Sequence, residues 1–392
     1  MKKIFLVLFI IMAVFSARSV FAEYSAIQLV KFIYINGANN NTPSMQKWFY
    51  NGVYKLHPQM KHQFETSKFV KKYILKDGQY QIEEEPGIFF WGDKTLNDLN
   101  TVNEGLITTS MLSPKLAQVV RSLFAHCMHD AIWIQKPHNM SIILEDLHKQ
   151  IQEAYQRKQK VVLFGYSAGS FVTYKYLFNK LTGLTAQTIT KKMQLNNEQA
   201  KYIQSYNISP TCIDALTSSK LAVYSANEEL IPNPNFEMFK NSYKNLNKTT
   251  REVCIPEDTV MGIVNYASPI VLFYSDIKDP TVEINKYNED LFISMKNNNL
   301  FWITVNFADD PLGYPLTRNL TEEEISAIHN LEFDENGRGF FHDKSDVKSP
   351  ATFLGAHTSY WKFAKKFSKA VVDAFEEGYT NFYPEDNNEF SL

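Results

Sequence analysis

Gly165-Tyr166-Ser167-Ala168-Gly169 is the stretch of this sequence best suited to chemistry. A serine with glycine two residues before and two after it fits a turn so sharp that the flanking positions nearly touch, where only a very small residue is tolerated. Such a turn lifts the hydroxyl clear of the chain and presents it at the first turn of a helix. There the backbone N–H groups and the helix dipole favour developing negative charge. A phosphate-binding loop would want further glycines or a Gly-Lys-Ser/Thr ending, which this stretch lacks. A serine hydroxyl alone is a weak nucleophile. It needs a base within hydrogen-bond reach, and the base needs a third group to orient it. The chain offers nine histidines for the first role. For the second it offers carboxylates placed after strand-like runs: Asp276 in Phe273-Tyr274-Ser275-Asp276, and Asp309 and Asp310 in Ala308-Asp309-Asp310-Pro311-Leu312-Gly313.

The elements around these residues follow an alternating pattern. Residues 160–165 form a short, continuously apolar run, the mark of a strand buried on both faces, and residues 170–181 read as a helix. Strand character also marks residues 26–35, 87–91, 259–264 and 300–305, and residues 131–134 read as a further strand. Residues 44–75, 114–128 and 141–157 carry helical spacing, and Trp361, Ala364, Phe367, Val371 and Phe375 lie on one stripe of a final helix. Strands alternating with helices predict the α/β class with a mainly parallel sheet. Residues 182–258 are polar and break that rhythm, as an insertion would.

On these motifs the chain resembles the α/β-hydrolase family, over about residues 27–378, and most closely its secreted, lipase-like or esterase-like serine hydrolases. The elbow strand and helix match at residues 160–181. The resemblance implies an α/β-hydrolase fold with an inserted lid, here at 182–258, and a chain order of nucleophile, acid, histidine. That order leaves His329, His342 and His357 for the base. The family places its histidine in a small-residue loop before the last helix, where Leu354-Gly355-Ala356-His357 stands. His342 in Phe341-His342-Asp343 is the main rival. For the acid, similar hydrolases carry an Asp-Pro-Leu-Gly-like turn, which favours Asp310 over Asp309 and Asp276. Backbone N–H groups of Ala168 and of the loop after the first strand would form the oxyanion hole. That loop often reads His-Gly in the family, whereas here it is Asn36-Gly37-Ala38, so the first donor is Ala38 or Asn39. The implied activity is hydrolysis of a small-molecule or lipid carboxylic ester through an acyl-enzyme, with no cofactor. Peptidase, amidase or thioesterase chemistry on the same fold is the alternative, and a non-catalytic binding protein a more remote one.

Composition bounds the rest. The 392 residues are 44% hydrophobic, 14% aromatic and 21% charged, which excludes disordered and low-complexity classes. Lys2 and Lys3, the apolar residues 4–15 and Val20-Phe21-Ala22 read as a signal peptide cut after Ala22, so the mature domain spans 23–392 and is secreted or periplasmic. Removing 22 of 392 residues leaves 370. It takes Lys2, Lys3 and Arg18 but no acid, moving the net charge from −2 to −5. That balance argues against nucleic acid as a partner. No later run is long and apolar enough to span a membrane. In an oxidising compartment Cys212 and Cys254, both in the polar insertion, are the pair to form a disulfide, leaving Cys127 free. His126-Cys127-Met128-His129-Asp130 lacks a second cluster at metal-ligand spacing, so no metal site is expected.

Overall fold

Continuous apolar runs become the central strands of a parallel sheet, because both of their faces must be covered. The computed structural model describes residues 27–38, 42–95, 129–176, 223–224, 230–231, 259–270, 300–315, 339–352 and 354–383. The chain opens with strand β1 (Gln28–Ile35), helices α1 (Pro43–Thr66) and α2 (Lys68–Tyr73), and the short strands β2 (Tyr80–Ile82) and β3 (Gly87–Phe89). Helix α3 (Pro137–Gln156) leads to β4 (Lys160–Tyr166) and α4 (Ala168–Tyr176). Two short antiparallel strands, β5 (Val223–Tyr224) and β6 (Leu230–Ile231), stand apart from the main sheet. Strands β7 (Val260–Tyr266), β8 (Phe301–Phe307) and β9 (Phe340–Val347) precede the one-turn helix α5 (Leu354–His357) and the closing helix α6 (Ala364–Phe382).

The main sheet has seven strands in the order β2-β1-β4-β7-β8-β9, with β3 also paired to β1. All six pairings are parallel. β2 pairs with the first half of β1 (Gln28 to Tyr80, Val30 to Ile82) and β3 with the second half (Ile33 to Gly87, Ile35 to Phe89). Alternate residues feed two cores. Ile33, Ile35, Val161, Leu163 and Trp302 pack with α3 and α4 through Ile143, Leu147, Phe171 and Val172. Phe32, Tyr34, Val162, Phe164, Ile303 and Val305 pack with α1 and α6 through Phe49, Val53, Leu56, Phe367, Val371 and Phe375. Helices therefore cover both faces, as the α/β class requires.

Local sequence explains the helix ends that bear on the site. The Thr42 hydroxyl accepts from the Met45 N–H and Pro43 opens α1, while Ser67 ends α1 and caps α2 by accepting from the Val70 N–H. The N-terminal part of α1 meets the chain just before α6. Gly52 lies against the Trp361 indole so closely that an added Cβ would fall 2.7 Å from Cδ2.

The expected strands at 160–165, 259–264 and 300–305 are found as β4, β7 and β8. Residues 131–134 are not a strand: residues 129–135 are helical. The two adjacent buried residues Trp133 and Ile134, beside a 55% exposed Ile132, suit a helix face, and a four-residue apolar run carries too little periodicity to separate the two. Residues 1–22, Cys127, Cys212 and Cys254, and residues 182–258 apart from β5 and β6, lie outside the described residues. Among the described residues no helix is long and apolar enough to cross a membrane.

The chain runs from β1 outward to β2 and β3, then returns past β1 to β4 on its other side. Ligands of open α/β sheets bind in the crevice at the carboxyl ends of the strands where such a reversal occurs. Here that crevice lies between Ile35 and Tyr166.

Gly52→Ala tests the contact that sets α1 against Trp361. Alanine in an open helix position would stabilise by about 1 kcal/mol. Here the ring blocks it, so the expected result is a net loss of about 1–3 kcal/mol in urea unfolding. A gain would show that Trp361 moves aside freely.

Candidate active site

Ser167 is the single residue between the end of β4 and the start of α4. Its φ of +51° lies in the left-handed region, which a residue with a Cβ adopts at a strain of about 1–3 kcal/mol. The surroundings hold it there. The Ser167 N–H donates to the Tyr266 carbonyl at 3.0 Å, and the Ser167 carbonyl accepts from Ser170 N (2.9 Å) and Ser170 Oγ (2.6 Å). The Ser268 hydroxyl donates to Ser170 Oγ at 2.9 Å, and Asn306 Oδ1 accepts from the Ser268 N–H at 3.0 Å, tying the turn to the ends of β7 and β8.

Both flanking glycines are forced by close approach. A Cβ on Gly165 would lie 2.4 Å from Asn265 Oδ1 and 2.8 Å from Ser170 Cα. One on Gly169 would lie 2.6 Å from the carbonyl oxygens of Ile35 and Asn36. Gly169 is therefore what lets α4 lean against the end of β1.

His357 comes to Ser167 from α5, 190 residues further along the chain. Its Nε2 is 3.1 Å from Ser167 Oγ, and its Nδ1 is 2.9 Å and 3.2 Å from the two Asp310 carboxylate oxygens. An ionised carboxylate only accepts, so Nδ1 carries the proton. Nε2 is then a free lone pair facing the serine hydroxyl, the orientation a general base needs.

Asp310 follows β8 in the turn that Pro311 continues, and its side chain is fully buried. Burying a carboxylate is costly unless donors replace its water. Three do so. Besides His357 Nδ1, the Leu312 N–H donates to Oδ1 at 2.9 Å and the Tyr360 hydroxyl to Oδ2 at 2.8 Å. Tyr360 Oη in turn accepts from the Phe307 N–H at 2.9 Å. Burial, and next the Asp310 charge beside it, push the Tyr360 phenol well above its ordinary pKa, so it stays an O–H donor. The Tyr166 hydroxyl donates to the His357 carbonyl at 3.0 Å, so the residue before the serine also holds the histidine backbone.

Each oxyanion candidate directly follows a residue at the turn: Ala168 follows Ser167, and Ala38 follows Gly37. Ala168 opens α4, where helix N–H groups have no intrahelical partner. Ala38 follows Gly37, whose Cα lies so near that an added Cβ would be 2.7 Å from Ser167 Cβ. The preceding Asn36 is fully buried and clamped to Trp91. The Trp91 N–H donates to Asn36 Oδ1 at 2.8 Å, Trp91 Nε1 donates to the Asn36 carbonyl at 2.7 Å, and Asn36 Nδ2 donates to the Gly37 carbonyl at 2.9 Å.

The other candidates stand elsewhere. Asp309 is exposed to solvent, one residue before the buried Asp310. His342 lies on β9 and shares Glu377 of α6 with Lys344, its Nε2 3.2 Å from the carboxylate. His329, Asp276 and Asn39 lie outside the described residues. His129 Nδ1 is 3.7 Å from the Asp130 carboxylate, and among the described residues no group of three or more His, Cys, Asp or Glu is placed to hold a metal ion.

Four residues at the site escape motif reading: Tyr166, Trp91, Tyr360, and Asn36 in its role as a clamp. Tyr360 carries the nearest thing to a signal, lying three residues beyond His357 and so close to it in space. Trp91 carries none, because its partner is 55 residues away.

No family model, no curated protein and no solved structure matches this chain. What the site can do must therefore be read from its own geometry.

Tyr360→Phe removes one donor to a buried carboxylate and the acceptor of the Phe307 N–H. Leaving such groups unsatisfied should lower stability by about 1–3 kcal/mol in urea unfolding. An unchanged midpoint would mean that another group takes over both bonds.

Proposed function

We propose that this protein is a serine hydrolase of the α/β-hydrolase fold, acting on carboxylic esters through an acyl-enzyme. The observation that carries the reading is the unbroken hydrogen-bonded series Ser167–His357–Asp310, placed at a left-handed strand-to-helix turn in the crevice between β1 and β4. The strained turn and the chain order of nucleophile, acid and histidine both fit the nucleophile elbow of that fold.

In this reading His357 Nε2 takes the Ser167 proton as Oγ attacks the ester carbonyl. The new oxyanion is stabilised by the Ala168 and Ala38 N–H groups. His357 then protonates the leaving alkoxide. A water enters, gives its proton to His357 and attacks the acyl carbonyl, and collapse of the second tetrahedral intermediate returns the proton to Ser167. Asp310 keeps the imidazole in the Nδ1–H tautomer and offsets the charge of the imidazolium. Each oxyanion donor would contribute roughly 2.7–4 kcal/mol to transition-state stabilisation. Residues 182–258 fall between the elbow helix and β7, where an insertion would govern substrate entry as a lid. The basic, apolar and small-residue stretch of residues 1–22 supports export to the periplasm or beyond.

A fluorophosphonate probe should label the wild-type protein at Ser167, as mapped by mass spectrometry, and short-chain aryl esters should be turned over. Ser167→Ala should abolish labelling and lower ester turnover by on the order of 10⁴–10⁶-fold. A folded wild-type protein that neither labels nor hydrolyses any of an ester, thioester and anilide panel would sink the reading.

A further inference from the structure

We propose that Asn36 is a positioning residue that aims the Ala38 N–H at the oxyanion, acting through the peptide bond between Gly37 and Ala38. The inference rests on the hydrolase reading above and identifies how one half of its oxyanion hole is held.

A peptide group is planar and trans, so its C=O and N–H point in opposite directions. Fixing the Gly37 carbonyl therefore fixes the direction of the Ala38 N–H. The Asn36 carboxamide does this by donating from Nδ2 to the Gly37 carbonyl at 2.9 Å. The Ala38 N–H is thereby turned to the side away from that carboxamide. In the same loop, the Gly37 Cα abuts the Ser167 side chain.

The carboxamide can hold the carbonyl only if it cannot flip. Trp91 prevents the flip. Its backbone N–H is purely a donor and lies 2.8 Å from Asn36 Oδ1, so exchange of O and N would set donor against donor there and acceptor against acceptor at Gly37. The backbone is held as well. The Asn36 N–H donates to the Phe89 carbonyl at 3.3 Å, its carbonyl accepts from Trp91 Nε1 at 2.7 Å, and Gly169 of α4 lies so near that carbonyl that an added Cβ would be 2.6 Å from its oxygen. Asn36 and Trp91 are both fully excluded from solvent, so no water competes for these bonds. An oxyanion donor works because it is already aimed before charge develops. Asn36 carries out that aiming without itself touching the substrate.

Asn36→Asp separates this role from simple filling of space. The new side chain has nearly the same shape, and its carboxylate still accepts from the Trp91 N–H. It has no donor for the Gly37 carbonyl and repels it. At neutral pH kcat should fall by about 100-fold or more, the loss seen when one oxyanion donor is removed, while KM changes by less than about threefold. Burial raises a carboxyl pKa, so lowering the pH should protonate the introduced carboxylate and restore an O–H donor. The ratio of variant to wild-type kcat should therefore rise as pH falls. Asn36→Ala, which needs no extra room and buries no charge, should lose kcat with KM held and show no such pH-dependent recovery. It serves as the second readout if Asn36→Asp does not fold. Activities are referred to the folded fraction measured by circular dichroism. Affinity for an aryl trifluoromethyl ketone, which forms a hemiketal oxyanion on the serine, should fall in step with kcat/KM in both variants.

Folded variants with kcat within about threefold of wild type, where an aimed donor is worth about 100-fold, would overturn the inference while leaving the hydrolase reading intact. So would a loss expressed in KM alone, or an Asn36→Asp ratio flat with pH. A wild type without labelling and turnover would remove both.

Discussion

Ser167 carries the chain from a strand to a helix in one residue, and its left-handed conformation is the constraint on which its neighbours depend. A turn this sharp brings α4 against the end of β1, so Gly169 can have no side chain beside the Ile35 and Asn36 carbonyls. The same turn forbids a side chain on Gly165, where Asn265 and Ser170 close in, and on Gly37, which faces Ser167 itself. The strain is local, whereas the packing that opposes it comes from four strands and two cores. β1, β4, β7 and β8 all end at this edge because every pairing in the main sheet is parallel.

A second constraint is electrostatic. The Asp310 carboxylate lies out of water and is matched by three donors from different parts of the chain: the imidazole of His357, the Leu312 amide and the Tyr360 hydroxyl. Two of these come from α5 and the segment that joins it to α6. The position of the histidine, the hydrogen bonding of the buried acid and the docking of the last helix are thus parts of one network. Aromatic packing holds that segment down, with the Phe307 and Tyr360 rings stacked at 4.2 Å and Trp361 set edge-on to Phe49 at 5.6 Å.

Much of this was legible in the sequence where short-range chemistry decides the outcome. The apolar run at 160–165 must be buried on both faces, and the glycines around Ser167 announce a tight turn. The expectation of His357 and Asp310 rests on the chain order that the family resemblance implies, and their neighbours are placed differently from them. Asp309 is exposed beside a buried Asp310, and His342 is engaged with Glu377. What stayed hidden depends on long-range pairing. The sequence Phe340-Phe341-His342-Asp343-Lys344-Ser345-Asp346-Val347 looks too polar for a strand, yet an edge strand such as β9 needs only part of its length buried. The three-residue β2 is too short to leave a pattern. The bonds between Asn36 and Trp91 join two positions that nothing in the sequence links.

The divided strand opposite β4 has a consequence for how this molecule meets copies of itself. β2 and β3 each pair with only three residues of β1, and residues 83–86 interrupt the row between them with three glutamates and a proline. An unbroken border of free amides and carbonyls is a template on which a foreign chain can lengthen a sheet. Here, among the described residues, that border is cut into two stubs separated by Glu83, Glu84, Glu85 and Pro86, with Glu83 paired to Lys31 and Glu84 to Lys61. Among the described residues the far border is β9, which carries Asp343, Lys344 and Asp346, with Lys344 paired to Glu377. Among the described residues, the interrupted row on one border gives a foreign chain two short stubs to pair with instead of one long template.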